Sequence, residues 1–423
     1  MDVHISNKIL RLKLILTLLM TAATTLPDHS TSARANDSFG DNACSLFIAP
    51  STIPGGGLGI FTSRSIPNNT EIGVSDVIIP LYDLSWHQED DFFWVFQDYV
   101  WDGASMMGMS AETDVGMVDA YAPGLDCAIN CHLALLNVER HFPTFDTTTM
   151  PHRSQYPSAG SMTPYWNGTT YALTNIPAGA ELFKFYGDQW FTSRPHAFEQ
   201  DTPLSGDFRK AEELSAKIHD SIDKRWHLSQ EAQESLYQII LGLGGEYSST
   251  FGAMPRNLAG VKQVAANGIG SIYQADHVRL DVSEISEARC IDNIVPGVST
   301  IEGSGRGGFA ARWFSQGEII TGSPLLHSPD KERMELYQWD EERGLKNLSR
   351  ADGKQIVVNY CWGHSSSSLL LCPYGSGVNY INHSREEANV MIQWAPQGHL
   401  GQDNAWFHWA PERMSKVRQP HLA

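Results

Sequence analysis

Ile176-Pro-Ala-Gly-Ala-Glu-Leu-Phe-Lys-Phe-Tyr-Gly187 decides how the first half of the chain folds. Pro177 and Gly179 belong to a tight turn, and Glu181 to Tyr186 reads as a strand whose hairpin partner is Thr169 to Thr174. A second hairpin lies upstream: Gly59 to Ile66 alternates, Pro67-Asn-Asn-Thr70 turns, and Glu71 to Ile79 alternates again. Glycines at 55, 56, 57 and 59 open it. Such a cluster serves a tight turn or a close backbone approach to another group.

The opening of that hairpin returns later in the chain. Ser51-Thr-Ile-Pro-Gly-Gly-Gly-Leu-Gly-Ile-Phe61 recurs as Ser299-Thr-Ile-Glu-Gly-Ser-Gly-Arg-Gly-Gly-Phe309, each copy after a cysteine, Cys44 or Cys290. Asn130-Cys-His132 with Asn137 recurs as Asn382-His-Ser384 with Asn389 at the same separation. Three landmarks in one order indicate two related domains. Between them, Leu214, Ile218 and Ile222, then Leu236, Ile240 and Leu243, fall at helical spacing, with Ser229 as an N-cap and Gly244-Gly245 as a stop. Residues 192–280 therefore read as a largely helical connector.

The 423 residues leave room for two or three domains. With 42% hydrophobic and 18% charged residues, neither wholesale disorder nor a small disulfide-stapled module is expected. A net charge of −18 without any Lys/Arg run repels phosphate backbones and anionic lipid, so nucleic acid and membrane surface are excluded as partners and a basic protein is favoured. The six cysteines, Cys44, Cys127, Cys131, Cys290, Cys361 and Cys372, form no CxxC pair, and no metal is assigned to them. Cys127 and Cys131 read as small buried thiols, or as a pair that meets in space.

Residues 1–35 resemble a secretory signal: Lys8, Arg11 and Lys13 precede the apolar run Leu14 to Leu26, and Ala33-Arg34-Ala35 offers a cleavage site. The expectation is a mature chain from about residue 36 in the secretory pathway or outside the cell, with an uncleaved signal anchor as the alternative.

Together these motifs resemble the SET-domain family of S-adenosylmethionine-dependent protein lysine methyltransferases. Gly57-Leu-Gly59 is similar to the family's GxG turn, Asn130-Cys-His132 through Asn137 to its NHSxxPN motif, and Ile176 to Gly187 to its closing I-x-x-G-x-E-L…Y-G hairpin. The resemblance covers residues 44–191, and less completely 290–400, where no E-L…Y-G hairpin follows Asn389; residues 401–423 read as an irregular tail. It implies a mainly β, SET-type β-clip fold in two copies joined by the helical connector, the second copy incomplete and degenerate. It further implies S-adenosyl-L-methionine as cofactor, Tyr186 as the catalytic residue, and Gly57, Leu58, Gly59, Asn130, His132, Tyr186 and Trp190 as cofactor-binding residues. Trp190 and Phe191 would pack over the cofactor's adenine, and Glu181 would be a structural hydrogen-bond acceptor. The implied substrate is a lysine-containing, basic protein or peptide. Residues 86–102 interleave acids and aromatics where the family carries a variable insert by the substrate groove, and they read either as a selector of basic peptides or as an amphipathic core segment. The rival expectation is a catalytically silent SET-fold scaffold of the secretory pathway.

Overall fold

The computed structural model describes residues 44–81, 99–102, 119–141, 165–194, 202–225, 227–245, 249–279, 288–302, 304–328, 334–340, 345–363, 370–375, 377–395, 405 and 408–409. The signal-like segment 1–35, most of the run 86–102 and nearly all of the tail 401–423 lie outside them.

The fold is mainly β, in short antiparallel sheets. Strands β1 (Leu46–Pro50) and β2 (Leu58–Thr62) form the first hairpin, with Phe47 opposite Phe61 and Ala49 opposite Gly59. The next strands are β3 (Glu71–Leu81), β4 (Val100–Asp102), β5 (Asp119–Tyr121), β6 (Val138–His141) and β7 (Tyr165–Ala172), in one sheet of order β4-β5-β3-β7-β6. β3 alternates at its start, where one face meets solvent, and becomes continuously buried from Asp76 onward, where both faces are covered.

The second half adds further short antiparallel sheets. β8 (Arg289–Cys290) joins the edge of β1, and β9 (Ile294–Val298) pairs with β10 (Arg306–Ala310), Val295 opposite Phe309 and Gly297 opposite Gly307. β11 (Leu325–Ser328), β14 (Trp362–Gly363) and β15 (Leu370–Pro373) form a sheet of order β11-β15-β14, the same succession as β3-β5-β4. A separate ribbon pairs β12 (Glu335–Asp340) with β13 (Leu345–Lys354).

One apolar cluster runs through both halves, from Ile60, Ile78, Tyr121, Ile129 and Leu182 to Leu326, Val357 and Tyr380. At roughly 1.5–3 kcal/mol for each fully buried aliphatic or aromatic side chain, this shared core is the main adhesive between the halves. Polar stitches fix its register: the hydroxyl of Tyr121 donates to the Pro373 carbonyl at 2.8 Å, and that of Tyr380 to the Ser75 carbonyl at 2.8 Å. The Asp292 carboxylate accepts the N–H groups of Ser45 and Leu46 at 2.8 and 3.1 Å. Disulfides join Cys44 to Cys290 and Cys361 to Cys372, while Cys127 and Cys131 remain free. Cysteine spacing alone disclosed neither bridge.

Short helices α1 (Leu125–Ala128) and α2 (Asp188–Thr192) flank the first repeat. Then come α3 (Ser205–Arg225), α4 (Gln230–Gly245), α5 (Ser249–Gly252) and α6 (Leu258–Asn267), the last capped by Asn257, whose side chain accepts the Gly260 N–H at 2.8 Å. They build their own core around Ala211, Ile222, Tyr237, Met254 and Val261. The stripe expected on α4 is displaced: Tyr237 is buried, held by a 2.6 Å bond to the Pro255 carbonyl, and Leu243 is 73% exposed. α4 meets α5 and α6, and its Ile239 and Leu243 stay exposed, so its apolar residues are not all covered. Among the described residues no helix is long and apolar enough to cross a membrane. Two 3-10 turns, Ile269–Ile272 and Gln274–His277, return the chain to the first repeat.

Candidate functional site

The stretch Ala180–Lys184 is gripped on both edges. On one side the Thr62 N–H donates to the Ala180 carbonyl at 3.1 Å, and the Leu182 N–H to the Ile60 carbonyl at 2.8 Å. On the other, the N–H groups of Asn137 and Val138 both donate to the Phe183 carbonyl at 3.0 and 3.1 Å, and the Lys184 N–H to the Asn130 carbonyl at 2.9 Å. The Asn137 amide completes the grip, donating to the Glu181 carbonyl at 2.8 Å and accepting the Phe183 N–H at 2.7 Å. The closing segment thus threads between β2 and the stretch that starts at Asn130. Leu182 and Phe183 are buried as a result.

Glu181 is the hub of this closure. Its buried carboxylate accepts from the Ser51 hydroxyl at 2.7 Å, the Thr52 N–H at 2.8 Å, the Asn130 amide at 3.0 Å and the Thr52 hydroxyl. Because that hydroxyl gives its one proton to Glu181, the 2.6 Å contact with His277 makes the imidazole Nδ1–H the donor to Thr52. Gly59 permits this arrangement, since a Cβ there would collide with the Glu181 carboxylate. Asn130 also donates to the Leu58 carbonyl at 3.0 Å and the Ser51 hydroxyl at 3.1 Å, closing the loop whose Gly57 has φ +64°.

Two residues on from Lys184, Tyr186 donates its hydroxyl to the Ile129 carbonyl at 2.6 Å. Its ring packs edge-on against Trp101 and Trp190, with centroids 5.3 and 5.2 Å away. The Lys184 ammonium lies 3.7 Å above the Trp101 ring and 2.8 Å from an Asp126 oxygen, which Arg140 also meets at 2.6 Å. Burial raises the Tyr186 phenol far above its ordinary value, so it stays protonated. Burial pushes the Asp126 carboxyl up, but Arg140 and Lys184 together outweigh it and hold the group below the usual carboxylate value. Burial also pulls the Lys184 ammonium down, against Asp126. The thiols of Cys127 and Cys131 are pushed up to about 12 by burial, which denies them a nucleophilic role.

The structure therefore gathers Gly57, Leu58, Gly59, Asn130, Tyr186 and Trp190 around one threaded segment. His132 meets the same segment through Phe183, its ring lying against Phe183, Tyr273 and His277 with centroids 5.6, 5.4 and 4.8 Å away. Burial, then His277, lowers its imidazole to about 4. Sequence reading missed Asp126, Arg140, Lys184 and His277 as members of the site, while Trp101 belongs to the run 86–102 that it set beside the substrate groove or in an amphipathic core segment. Lys184 carried a usable signal: at a period of two it shares a strand face with Leu182 and Tyr186. Among the described residues, one cluster has metal-ligand chemistry, Cys44, Cys290 and Asp292, and its two sulfurs are bonded to each other.

The second repeat reproduces the loop bond for bond. Asn382 donates to the Ser299 hydroxyl at 3.0 Å and to the Arg306 carbonyl at 2.9 Å, as Asn130 does to Ser51 and Leu58. The Ser299 N–H reaches the Gly305 carbonyl at 2.8 Å, as Ser51 reaches Gly57, and Gly305 has φ +65°. No counterpart of Glu181 enters it among the described residues.

No protein-family model and no curated protein sequence matches the chain. Among solved structures, a Plasmodium falciparum protein described as a "putative histone methyltransferase" is 18% identical, over 35% of this chain and 96% of that one, with a TM-score of 0.22. A humanized mutant of Chaetomium thermophilum Polycomb Repressive Complex 2 is 16% identical, over 34% and 15%, at 0.22. The ctPRC2 structure in an autoinhibited conformation bound to S-adenosylmethionine is 16% identical, over 36% and 17%, at 0.23. Likeness at this level assigns neither family nor activity.

Proposed function

We propose that the chain is a tandem SET-type protein and an S-adenosyl-L-methionine-dependent methyltransferase of protein lysine, with its active site in the first repeat. One observation carries this reading: the segment Ala180–Lys184 is threaded between β2 and the Asn130 stretch, which delivers Tyr186 into an aromatic cluster beside the Gly57 loop.

The exposed turn at Gly57, the half-buried Leu58 beside it and the carbonyl oxygen of the Asn130 amide would hold the cofactor's polar ends. Tyr186 and Trp190 would offer electron-rich surface to its sulfonium. Gly59 acts through Glu181, whose carboxylate fills the space its missing side chain leaves. When bound, the cofactor supplies an electrophilic methyl group. For that chemistry the chain's residues would chiefly have to align an entering amine, and alignment matters more than acid–base chemistry. The half-buried walls of Trp101, Tyr186 and Trp190 would limit water around an entering side chain, and the nearby Lys184 ammonium would disfavour a second cation. Both effects lower the pKa of an entering lysine toward its neutral, nucleophilic form. Because Tyr186 gives its proton to Ile129, its lone pairs are free to accept from the amine or the methyl C–H groups.

A net charge of −18 suits a basic peptide substrate. The two disulfides suit an oxidising compartment, in keeping with the signal-like segment. The ammonium of Lys184 above Trp101 supports a second reading, a silent scaffold whose aromatic site is already filled by its own lysine.

The test combines calorimetric titration with S-adenosylmethionine and radiolabelled methyl incorporation into a lysine-rich peptide mixture. Tyr186→Phe should slow transfer roughly a hundred- to thousandfold, the typical cost of one preorganised polar contact, with cofactor affinity nearly unchanged. Equal rates in wild type and variant would remove Tyr186 from the chemistry. Absence of binding heat in both wild type and Lys184→Met would leave the scaffold reading.

A further inference from the structure

In the first repeat the threaded segment covers an apolar surface; in the second that surface is bare. Phe61, Ile129 and Val138 are at most 1% exposed, whereas Phe309, Ile381 and Val390, at the same spacings in the second repeat, are 39%, 41% and 38% exposed. Phe47 at 2% becomes Val295 at 36%. Trp313 beside them is 80% exposed. The edge of β10 is open too: Gly308 and Ala310, which correspond to the Ile60 and Thr62 that bond the closing strand, lie exposed.

The polar half of the slot is also prepared. Ser299, Thr300 and Asn382 stand where Ser51, Thr52 and Asn130 donate to Glu181, and Gly307 leaves the matching space, with the Asn382 amide 3.4 Å from where a Cβ would sit. Three donors around a glycine select a carboxylate, and the apolar surface beside them selects the residues that flank it.

We infer that the second repeat is a receptor for an extended strand of another polypeptide, carrying a small residue, a glutamate, an aliphatic and an aromatic residue in succession. The occupant's chemistry is set by the equivalent slot of the same molecule, which holds Ala180-Glu181-Leu182-Phe183. Addition of the strand would extend the β9-β10 hairpin at its open edge, with main-chain bonds giving affinity and the carboxylate giving register. The inference rests on the repeat and holds whether or not the first repeat transfers methyl groups.

The probe is a fluorescent peptide with the sequence of residues 176–186, titrated into the full chain and followed by anisotropy. Saturable binding is expected. It should weaken tenfold or more when the peptide's glutamate becomes glutamine and when the protein carries Asn382→Ala, because a charge-assisted bond contributes about 1.5–3 kcal/mol. Should Asn382→Ala fail to fold, Phe309→Ser on the exposed surface serves instead, with the same loss. A benzoylphenylalanine in place of the peptide's first phenylalanine should crosslink to residues 294–314 or 381–392. Three results would overturn the proposal: no saturable binding, crosslinks confined to the first repeat, or a tenfold gain in affinity on deleting residues 401–423. The last would show that the chain's own tail is the occupant.

Discussion

The loops at Ser51–Gly59 and Ser299–Gly307 have the same serine-to-glycine backbone bond, the same left-handed glycine and the same asparagine amide bridging a serine hydroxyl and a β-strand carbonyl. Among the described residues, one is roofed by a strand and the other is not. The loop geometry is therefore self-sufficient, set by glycine conformational freedom and three local bonds. The roof changes something else, the fate of the apolar residues beneath it. Phe61 is wholly buried and Phe309 is 39% exposed, although their strand registers match. Burial in the first repeat thus depends on the threaded segment, and the segment depends on Glu181.

The largest break in that comparison is Glu181→Leu. The substitution takes the charged acceptor from the Ser51 hydroxyl, the Thr52 N–H and one of the Asn130 amide bonds in a partly buried setting, and hydrogen bonds to a charged acceptor are costly to lose. Urea unfolding at neutral pH should show a loss of about 4 kcal/mol, and Phe61 and Val138 should become accessible as their counterparts already are. A loss under about 1 kcal/mol would mean that the roof is held by its backbone bonds alone.

A second contrast is electrostatic. Asp126 and Arg140 lie four residues before and ten after Asn130, whereas Val378 and Ile392 occupy those positions about Asn382, so the buried ion cluster belongs to the first repeat. Burial, against the pull of Arg140, raises the neighbouring Asp76 carboxyl from 3.8 to about 6. A raised carboxyl binds its proton more tightly when folded. Its stabilising share is complete below pH 3.8 and is lost as the pH rises through 6. The His132 imidazole is depressed from 6.5 to about 4, so its share is complete above pH 6.5 and is lost as the pH falls through 4. Each contributes up to about 3 kcal/mol, in opposite directions over nearly the same window. Asp292 acts in the first sense and His277 in the second. Wild-type stability should accordingly be nearly flat between pH 4 and 6.5. Asp76→Asn should make it climb with pH, and His132→Phe should make it fall. Urea midpoints at pH 4.5 and 6.5 read both slopes, and parallel slopes in the two variants would refute the assignment.

Sequence reading reached the strand stretches, the recurring loop and the asparagines because each has a local cause: turn residues, strand alternation, a repeated order. It mispaired the strands: the hairpins expected of 59–66 with 71–79 and of 169–174 with 181–186 do not form, because β2 pairs with β1, β3 with β5 and β7, β7 with β3 and β6, and the closing segment with β2, partners that alternation alone does not choose. It also marked the helical stretch, where Ile222 is buried and Leu214 and Ile218 pack against the α3–α6 core. It did not reach the members of the site that meet only in three dimensions. His277 lies 147 residues from Asn130, Asp126 and Lys184 are 58 apart, and no spacing links Cys44 to Cys290 across 246 residues. Leu243 failed for the opposite reason. Its helical period is real, but a period shows which residues share a face and not whether anything covers that face. Lys184 shows the same limit in reverse, since its cationic side chain is buried because Asp126 and Trp101 were already there to receive it.

The smallest expected effect compares the two asparagines. Asn130→Ala removes donors from the Ser51 hydroxyl, the Leu58 carbonyl and the Glu181 carboxylate, the last of them charged and buried, and should cost about 2–3 kcal/mol. Asn382→Ala releases only the Ser299 hydroxyl and the Arg306 carbonyl in a half-exposed setting. Water can replace both bonds, so the cost should be about 1 kcal/mol. Hydrogen exchange over residues 299–310 should rise locally in that variant while the first repeat keeps its protection. Midpoint shifts in urea supply the magnitudes. Equal costs for the two substitutions would show that the Asn382 site carries a burial load like that of Asn130, the state expected when a strand already fills the second slot in solution.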